Sequence, residues 1–366
     1  MRILVITPDA FGGHGGMAEF NRHFLNALCA HPDCTEVVAI PRLVPNPVEK
    51  PLPPKLSYVT TGLAGKIKYV VAALEVVRRH PEFDLIVCGL INLLSVPFLL
   101  RLWVRAPIVL ITHGVDVWKP TRRLVANHLT SRIDAFISVS ELTKQRFLKW
   151  AKLSADKGFV LPNAIDLDRF SPGPKNMALL NRYGLTNRTL LMTVGRLSSD
   201  DRYKGFDEVI ELLPTLADTI PNIAYLIVGD GTDRRRLEEK ARALGVEGYV
   251  VFAGYVSESE KVDHYRLADA YVMPGWGEGF GIVYLEAMAC GVPVVASKVD
   301  GSREAVRNGA LGILVDPNDQ EDVKAGILKA LSRPSGVVPE GLDYFSYNNF
   351  ERRLHRILEN VVSMRK

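Results

Sequence analysis

Two acidic residues, Glu278 and Glu286, lie eight positions apart in the segment PGWGEGFGIVYLEAMACGVPVVAS. Gly279 and Gly281 stand between them, where a loop is expected to become a helix, and glycine amides there can donate to phosphate or sugar oxygens unobstructed. A carboxylate a turn and a half into that helix can accept hydrogen bonds from a ribose diol, and one in the loop can accept from a second sugar. The spacing predicts a nucleotide-sugar site. The alternative is an exposed Glu278 and a Glu286 that only caps a helical turn.

Two cations, Arg196 and Lys204, follow an earlier apolar run in the segment GRLSSDDRYKGFDEVI. A planar guanidinium and a compact ammonium that converge on one place are a common way to hold a diphosphate. The alternative is a pair of unrelated surface cations. Gly195 and Gly205, one beside each cation, weaken that alternative because they suggest tight turns that fix both side chains.

A glycine-rich segment, GGHGGMAEF, follows the first apolar run and precedes an expected helix from about Ala18. Its glycines Gly13, Gly15 and Gly16 would allow close approach of a phosphate to the start of the helix. Part of it fits the dinucleotide fingerprint, but the acid expected after the second strand is missing, because EVVAI runs into a proline and an arginine. A phosphate loop, an NAD(P) site and a plain tight turn all stay open for this motif.

Three further loops at expected strand ends carry candidate residues. His113, in THGVDVW, could bind a sugar hydroxyl or a reacting carbonyl, or be structural, and Asp116 beside it is a weaker candidate. Gly229, in VGDG, would shape the floor beneath a base or ribose, or form a plain turn. Tyr255 and Val256 end the segment FAGYV, whose backbone could bind the edge of a nucleobase.

No metal site is predicted. The pattern DLD at Asp166–Asp168 resembles a metal-binding D-x-D, but it lies in an expected linker away from the strand-end loops. The four cysteines show no C-x-x-C spacing and stand in apolar surroundings, so we expect buried free thiols.

The elements that position these residues are short β-branched runs that alternate with amphipathic helices, first over residues 1–165 and again over 166–345. This alternation predicts two doubly wound Rossmann-like α/β domains with parallel sheets, facing a central cleft. Ligands of such sheets bind at the carboxyl ends of the strands, where each candidate loop lies. A last amphipathic helix is expected over about residues 346–366.

Charge and hydropathy limit the classes of partner that the chain is expected to bind. Residues 1–165 carry 20 lysines and arginines against 12 acidic residues, whereas residues 166–366 carry 25 against 29. The basic first half suggests an anionic membrane surface or substrate, or simply a lysine-rich solvated surface. Nucleic acid is disfavoured, because aromatic residues are not interleaved with the basic positions. The N-terminal run is too short for a signal peptide, and no apolar run comfortably spans a bilayer.

Together, GRL…RYKGFDEVI, VGDG, GEGFGIVYLEAMACGVPVVAS and DGSREAV resemble glycosyltransferase family four, a family of retaining enzymes with the GT-B fold. The resemblance covers nearly the whole chain. It implies that the helix of about residues 346–366 packs back on the first domain, as the tails of relatives do. It implies hexosyl transfer from a nucleoside-diphosphate sugar, with no metal required, in the biosynthesis of polysaccharides or glycoconjugates. One departure is Ala164 in NAID, where many relatives have glycine.

The resemblance also implies a role for each matching position. Arg196 and Lys204 would hold the pyrophosphate, Glu286 the ribose, and His113 the transferred sugar. The loop Gly13–Gly16 would close on the phosphates. Glu278, and the amides of Gly279, Phe280, Gly281 and Ile282, would hold the sugar and the distal phosphate.

The donor base and the acceptor are less well specified. Prevalence in the family favours a UDP-sugar over GDP-mannose, and the basic first half favours a glycan or lipid-linked acceptor, with a cytoplasmic enzyme at the inner membrane surface. Two rival interpretations are an NAD(P)-dependent oxidoreductase that uses GGHGGMA and a nucleotide-sugar-binding protein without catalysis. The intact Arg196, Lys204, Glu278 and Glu286 argue against the second rival.

Overall fold

The computed structural model describes residues 1–48, 50–200 and 202–363. The chain divides into two compact units. The first comprises Met1–Ala164 together with the segment that begins at Tyr347, and the second comprises Ile165–Ser346.

The first unit contains a seven-stranded parallel sheet in the order β3-β2-β1-β4-β5-β6-β7. Its strands are β1 (Arg2–Thr7), β2 (Glu36–Pro41), β3 (Leu56–Tyr58), β4 (Leu85–Cys88), β5 (Ile108–Thr112), β6 (Ala135–Ser138) and β7 (Gly158–Val160). The central strands are buried along almost their whole length, because helices cover both faces of the sheet.

Five helices of this unit follow in chain order: α1 (Gly15–Ala30), α2 (Lys66–Arg79), α3 (Ser95–Leu100), α4 (Leu124–Thr130) and α5 (Glu141–Ala151). Helix α1 begins three residues earlier than expected, at Gly15, where the chain enters the helix with a φ of +82° that is suited to glycine. Helices α2 to α5 contribute to one apolar core against the sheet.

The second unit repeats the plan with a six-stranded parallel sheet in the order β10-β9-β8-β11-β12-β13. Its strands are β8 (Thr189–Val194), β9 (Ile223–Val228), β10 (Val250–Gly254), β11 (Ala270–Val272), β12 (Val294–Ser297) and β13 (Ile313–Val315). Its helices are α6 (Met177–Tyr183), α7 (Phe206–Thr219), α8 (Arg234–Ala243), α9 (Lys261–Leu267), α10 (Ile282–Ala289), α11 (Ser302–Ala305) and α12 (Gln320–Leu331).

The last helix, α13 (Tyr347–Ser363), belongs to the first unit although it follows the second in sequence. Its buried residues recur every three or four positions, at Phe350, Leu354, Ile357, Leu358 and Val361. This stripe packs on α1. The rings of Phe350 and Phe20 meet edge to face at 5.6 Å, and His355 Nε2 lies 2.8 Å from the carbonyl of Ala27.

Two further sequence predictions have structural outcomes. All four cysteines are free and buried, as expected. Among the helices of the described ranges, none combines the length and the apolarity needed to cross a bilayer.

Candidate active site

The centre of the second unit's strand-end edge is an ion pair between Lys204, which follows β8, and Glu278, which follows β11. The two strands are neighbours in the sheet, so their loops emerge side by side. Both side chains are largely covered, with exposed fractions of 17% and 15%. An ammonium and a carboxylate predicted from separate motifs therefore meet at one place.

Close packing between the two loops brings them together. Gly205 adopts φ +82° and leaves no room for a Cβ, which would lie 2.8 Å from the ring of Pro274. Across the same contact, the N–H of Trp276 donates to the carbonyl of Tyr203 at 2.9 Å, and a side chain at Gly277 would overlap the Tyr203 ring. The glycines in these motifs thus allow two backbones to touch.

A third loop, after β12, forms hydrogen bonds with both the N–H and the carbonyl of Glu278. The carboxylate of Asp300 accepts the Glu278 N–H at 2.9 Å, and the N–H of Gly301 donates to the Glu278 carbonyl at 2.8 Å. Asp300 is fully buried and also accepts the Ser302 hydroxyl at 2.6 Å. A Cβ at Gly301 would overlap the carbonyl of Gly279. The segment DGS, assigned no role from sequence, therefore positions Glu278.

Helix α10 follows this loop directly, and its N-cap residue, Gly281, has a φ of +86° that is suited to glycine. The side chains of Phe280 and Ile282 are buried, and the Phe280 ring packs against Phe345 at 5.5 Å. Only the backbone of these two residues is thus suited to the expected role, as the sequence interpretation assumed. The positive end of the α10 helix dipole lies at this first turn and favours an anion.

Glu286 lies on α10 and is only 3% exposed. Its two carboxylate oxygens already have partners, since Oε1 accepts from Lys261 Nζ at 3.0 Å and Oε2 from the Tyr265 hydroxyl at 2.6 Å. Burial opposes the charge on Lys261, but the carboxylates of Glu286 and Glu258 outweigh it and raise the pKa of the ammonium. A ribose diol would therefore have to share this carboxylate with the lysine and the tyrosine.

Sequence reasoning missed Lys261 and Tyr265. Both lie on α9, which follows β10, and no motif marks them. The available signal was topological, because a lysine at the first position of a helix after a strand-end loop lies on the same edge of the sheet as the other candidates. From the sequence, base binding is assigned to the preceding segment FAGYV, and α9 receives no role.

Arg196 lies in the loop after β8 and is exposed. The loop after β9 supports its neighbours, since the N–H of Leu197 donates to the carbonyl of Asp230 at 3.0 Å. Gly229 has φ +136°, and a Cβ there would overlap the carbonyl of Gly195. Gly229 thus acts as a close backbone contact that shapes the loop of Arg196.

The residues expected to bind the base, Tyr255 and Val256, follow β10. The Tyr255 side chain is 64% exposed. The strand end before it is fixed by Gly229, whose N–H donates to the carbonyl of Gly254 at 2.8 Å. Base recognition by Tyr255 and Val256 stays a prediction.

In the first unit, the glycine loop after β1 has tight and open positions. A Cβ at Gly13 would lie 2.8 Å from Asp9 Oδ2 and 2.9 Å from the Ala18 Cβ, whereas one at Gly15 would meet nothing within 4 Å. Gly15 and Gly16 are exposed at the start of α1. Their backbone N–H groups are accessible to an anion, and phosphate binding there stays a prediction.

His113 follows β5 and is held from two sides. Its Nε2 lies 3.0 Å from the carbonyl of Gly89, so Nε2 carries the proton that it donates and Nδ1 is left as an acceptor. Burial lowers the pKa of the ring to about 4. The His113 N–H in turn donates to Asp116 Oδ1 at 3.2 Å, and burial raises the pKa of that carboxyl to about 7. Asp116 thus supports the histidine loop.

The DLD pattern forms a local turn, since Asp166 Oδ1 accepts the N–H groups of Asp168 and Arg169 at 3.0 and 3.1 Å. The described part of the chain contains no group of three histidine, cysteine or acidic residues arranged to hold a metal ion.

Comparison with known proteins decides the family. Residues 14–169 match the model of glycosyltransferase family 4, and residues 181–352 match that of glycosyl transferases group 1. The phosphatidyl-myo-inositol mannosyltransferase of Mycobacterium tuberculosis is 30% identical over 352 residues, which cover 90% of this chain and 85% of that protein. The chain belongs to glycosyltransferase family four.

A second relative is more similar over a shorter stretch. The GDP-mannose-dependent alpha-(1-6)-phosphatidylinositol monomannoside mannosyltransferase of Mycolicibacterium smegmatis is 37% identical over 246 residues. That alignment covers 64% of this chain and 63% of the relative, so the chain matches less than two thirds of the relative's length.

Solved structures show the fold of this family-four chain. Sucrose-phosphate synthase from Thermosynechococcus elongatus has a TM-score of 0.80 at 21% identity and covers 99% of both chains. Anabaena HepE, solved with UDP and glucose, has a TM-score of 0.75 at 21% identity over 98% of this chain and all of its own. With the two parallel-sheet units, these likenesses confirm the predicted GT-B fold.

Proposed function

We propose that this family-four protein transfers mannose from GDP-mannose to an inositol-containing lipid, with retention of the anomeric configuration. The observation that carries the proposal is the pair of Lys204 and Glu278 beside the first turn of α10. A cation, a carboxylate and the N-terminal end of a helix stand together there, as binding of a sugar diphosphate requires.

The choice of donor rests on the relatives. Sequence reasoning placed UDP-sugars ahead of GDP-mannose, but the Mycolicibacterium relative is named for its dependence on GDP-mannose. Two of the relatives described above are mannosyltransferases that act on phosphatidylinositol or its mannoside, and these names suggest the acceptor. The family match disfavours the oxidoreductase alternative.

In the proposed mechanism, charge is the main contribution of the chain. As the donor bond breaks, negative charge grows on the departing nucleoside diphosphate. Lys204, Arg196 and the N–H groups at the start of α10 stabilise that charge. Glu278 holds the Lys204 ammonium at the loop edge before the donor binds and accepts from hydroxyls of the sugar afterwards.

Retention is proposed from the family resemblance, and in this proposal it proceeds without a covalent glycosyl–enzyme intermediate. Glu278 is paired with Lys204, and Glu286 is bonded by Lys261 and Tyr265. Neither is arranged as a covalent nucleophile. The acceptor hydroxyl attacks from the face that the leaving group vacates and gives its proton to a phosphate oxygen. Because Lys204 and Arg196 supply positive charge, the reaction needs no divalent metal.

The test is an assay of the purified full chain with phosphatidylinositol in detergent and either GDP-mannose or UDP-glucose as donor. We expect a mannolipid, detected by mass spectrometry, only with GDP-mannose, and unchanged activity in the presence of EDTA. The one-bond carbon–proton coupling at the anomeric centre of the product reports its configuration.

Each arm can contradict one part of the proposal. A product with UDP-glucose alone would overturn the donor, a large loss with EDTA would restore a metal, and a β-linked product would exclude retention. Failure to bind either donor in calorimetry would remove the proposed function itself.

A further inference from the structure

The outer side of the first unit's helical layer is unusually apolar. The inner sides of α2, α3 and α4 pack on the sheet through residues such as Tyr69, Leu100 and Ala126. On the opposite side, seven large apolar side chains face solvent, and we call them the apolar patch. They are Ile67 and Val71 on α2, Leu99, Leu102 and Trp103 on and just after α3, and Leu124 and Val125 on α4.

The exposure of the apolar patch is high. Ile67 is 82% exposed, Leu124 81% and Leu102 74%, and even Trp103 is 52% exposed. Scattered apolar residues on a surface need no explanation, but a contiguous group marks an interaction site. These residues come from helices that touch, because α2 contacts α3 and α3 contacts α4.

A hydrogen bond links the segments that precede α3 and α4. Arg123 Nη1, just before α4, donates to the carbonyl of Asn92 at 3.2 Å, and Asn92 lies just before α3. On α2, Ile67 and Val71 are one turn apart and therefore share one side of the helix. The patch is thus part of one folded layer.

Cations border the apolar patch. Lys66 and Lys68 flank Ile67, while Arg122 and Arg123 directly precede Leu124, and all four are exposed. Long basic side chains can lay their stems along an apolar surface and keep their charges in the headgroup region of a membrane. Tryptophan and leucine beside lysine and arginine are typical of helices that lie in a membrane interface.

We propose that the apolar patch docks on an anionic bilayer surface. The charge of residues 1–165, 20 basic against 12 acidic, complements such a surface. The inference deepens the proposed function, on which it rests for a lipid acceptor. A bilayer suits this patch better than a protein partner does, because cations border its apolar side chains. Helix α2 carries a single acidic residue, the exposed Glu75, so little negative charge opposes an anionic surface there.

The experiment is co-sedimentation of the full chain with phosphatidylcholine vesicles that contain about a third phosphatidylglycerol, or none. We expect strong binding to the anionic vesicles that weakens with salt. The double variants Leu102→Ser with Trp103→Ser and, separately, Leu124→Ser with Val125→Ser should each bind at least about tenfold less. The charge variant Lys66→Glu with Lys68→Glu should bind less to anionic vesicles only.

The matched control is Met177→Ser with Leu244→Ser, two apolar residues of the second unit that are 56% and 42% exposed. It should bind vesicles as the unsubstituted chain does. Equal binding by patch and control variants would overturn the proposal, as would a dimer in light scattering that the patch variants dissolve. GDP-mannose binding, measured without vesicles, separates the two proposals. If the unsubstituted chain does not bind GDP-mannose, the proposed function is refuted. Whether the apolar patch docks on a membrane is decided by vesicle binding alone.

Discussion

The surroundings of Glu278 and Glu286 differ sharply although the two residues are eight positions apart. Glu278 lies in a loop at the edge of the second unit, and its peptide is gripped by Asp300 and Gly301. Glu286 is almost fully buried on a helix and is shared by Lys261 and Tyr265. The pair of Glu278 with Lys204 is thus suited to exchange its partners with a ligand. The pair of Glu286 with Lys261 is suited to stabilise the fold around the ligand.

The largest expected effect tests the loop pair. Lys204→Ala should reduce kcat by about 100- to 1000-fold, or about 3–4 kcal/mol of transition-state stabilisation, because a fixed cation next to the developing charge is lost. The assay is mannosyl transfer under saturating donor. Lys329→Ala removes an exposed lysine of the same unit and should leave kcat unchanged. Unchanged turnover in Lys204→Ala would refute the assigned role.

The next effect tests the buried pair. Lys261→Met keeps the apolar stem but leaves the buried Glu286 carboxylate without its cation, which should cost about 2–3 kcal/mol after allowance for the partial exposure of Lys261. Thermal unfolding should shift down by about 5–10 °C. Lys204→Met, which removes the cation of the loop pair, should shift it far less. Similar losses in both variants would erase the distinction between the two glutamates.

The smallest effect concerns Glu208, whose Oε2 is buried without a hydrogen-bond partner. Burial raises the pKa of this carboxyl to about 7, above its unfolded value, so the stability that the protonated form contributes is lost as the pH rises through about 7. Glu208→Gln should therefore stabilise the protein by about 1 kcal/mol at pH 8, discounted for partial exposure, and barely at pH 5.

Melting curves at the two pH values check this expectation, with Glu247→Gln, an exposed glutamate, as the control. A gain for Glu208→Gln that is the same at both pH values would show that the charge of Glu208 is not its cause.

Much of the fold was predictable from the sequence. The apolar runs specify which segments are buried parallel strands, and that topology alone gathers the loops of Lys204 and Glu278 at one edge. The amphipathic helix near Tyr347 was predictable from its apolar stripe, whereas its return to the first unit was implied by the family resemblance. The start of α1 was placed three residues too late because Gly15 and Gly16 were interpreted as part of the loop, although the helix begins at Gly15.

The finer parts of the site were not predictable, since they depend on contacts between distant segments. The hydrogen bond from Gly301 to Glu278 depends on a close backbone approach that leaves no room for a Cβ at Gly301, and only the folded structure shows this approach. The pairing of Glu286 with Lys261 was hidden because the two stand 25 positions apart and α9 carries no recognisable motif. The expected contacts of Gly13, Gly16, His113, Arg196 and Tyr255 with a donor stay predictions.

The return of α13 to α1 has a consequence for biosynthesis. The side chain of Phe20 is covered in part by Phe350, so the first unit cannot finish its packing while residues 347–363 are still unmade. During translation, the second unit emerges from the ribosome whole before the first is sealed. A nascent chain stalled after Ser346 would expose the apolar surface of α1 to chaperones. The first unit, although it is synthesised first, therefore completes its folding last.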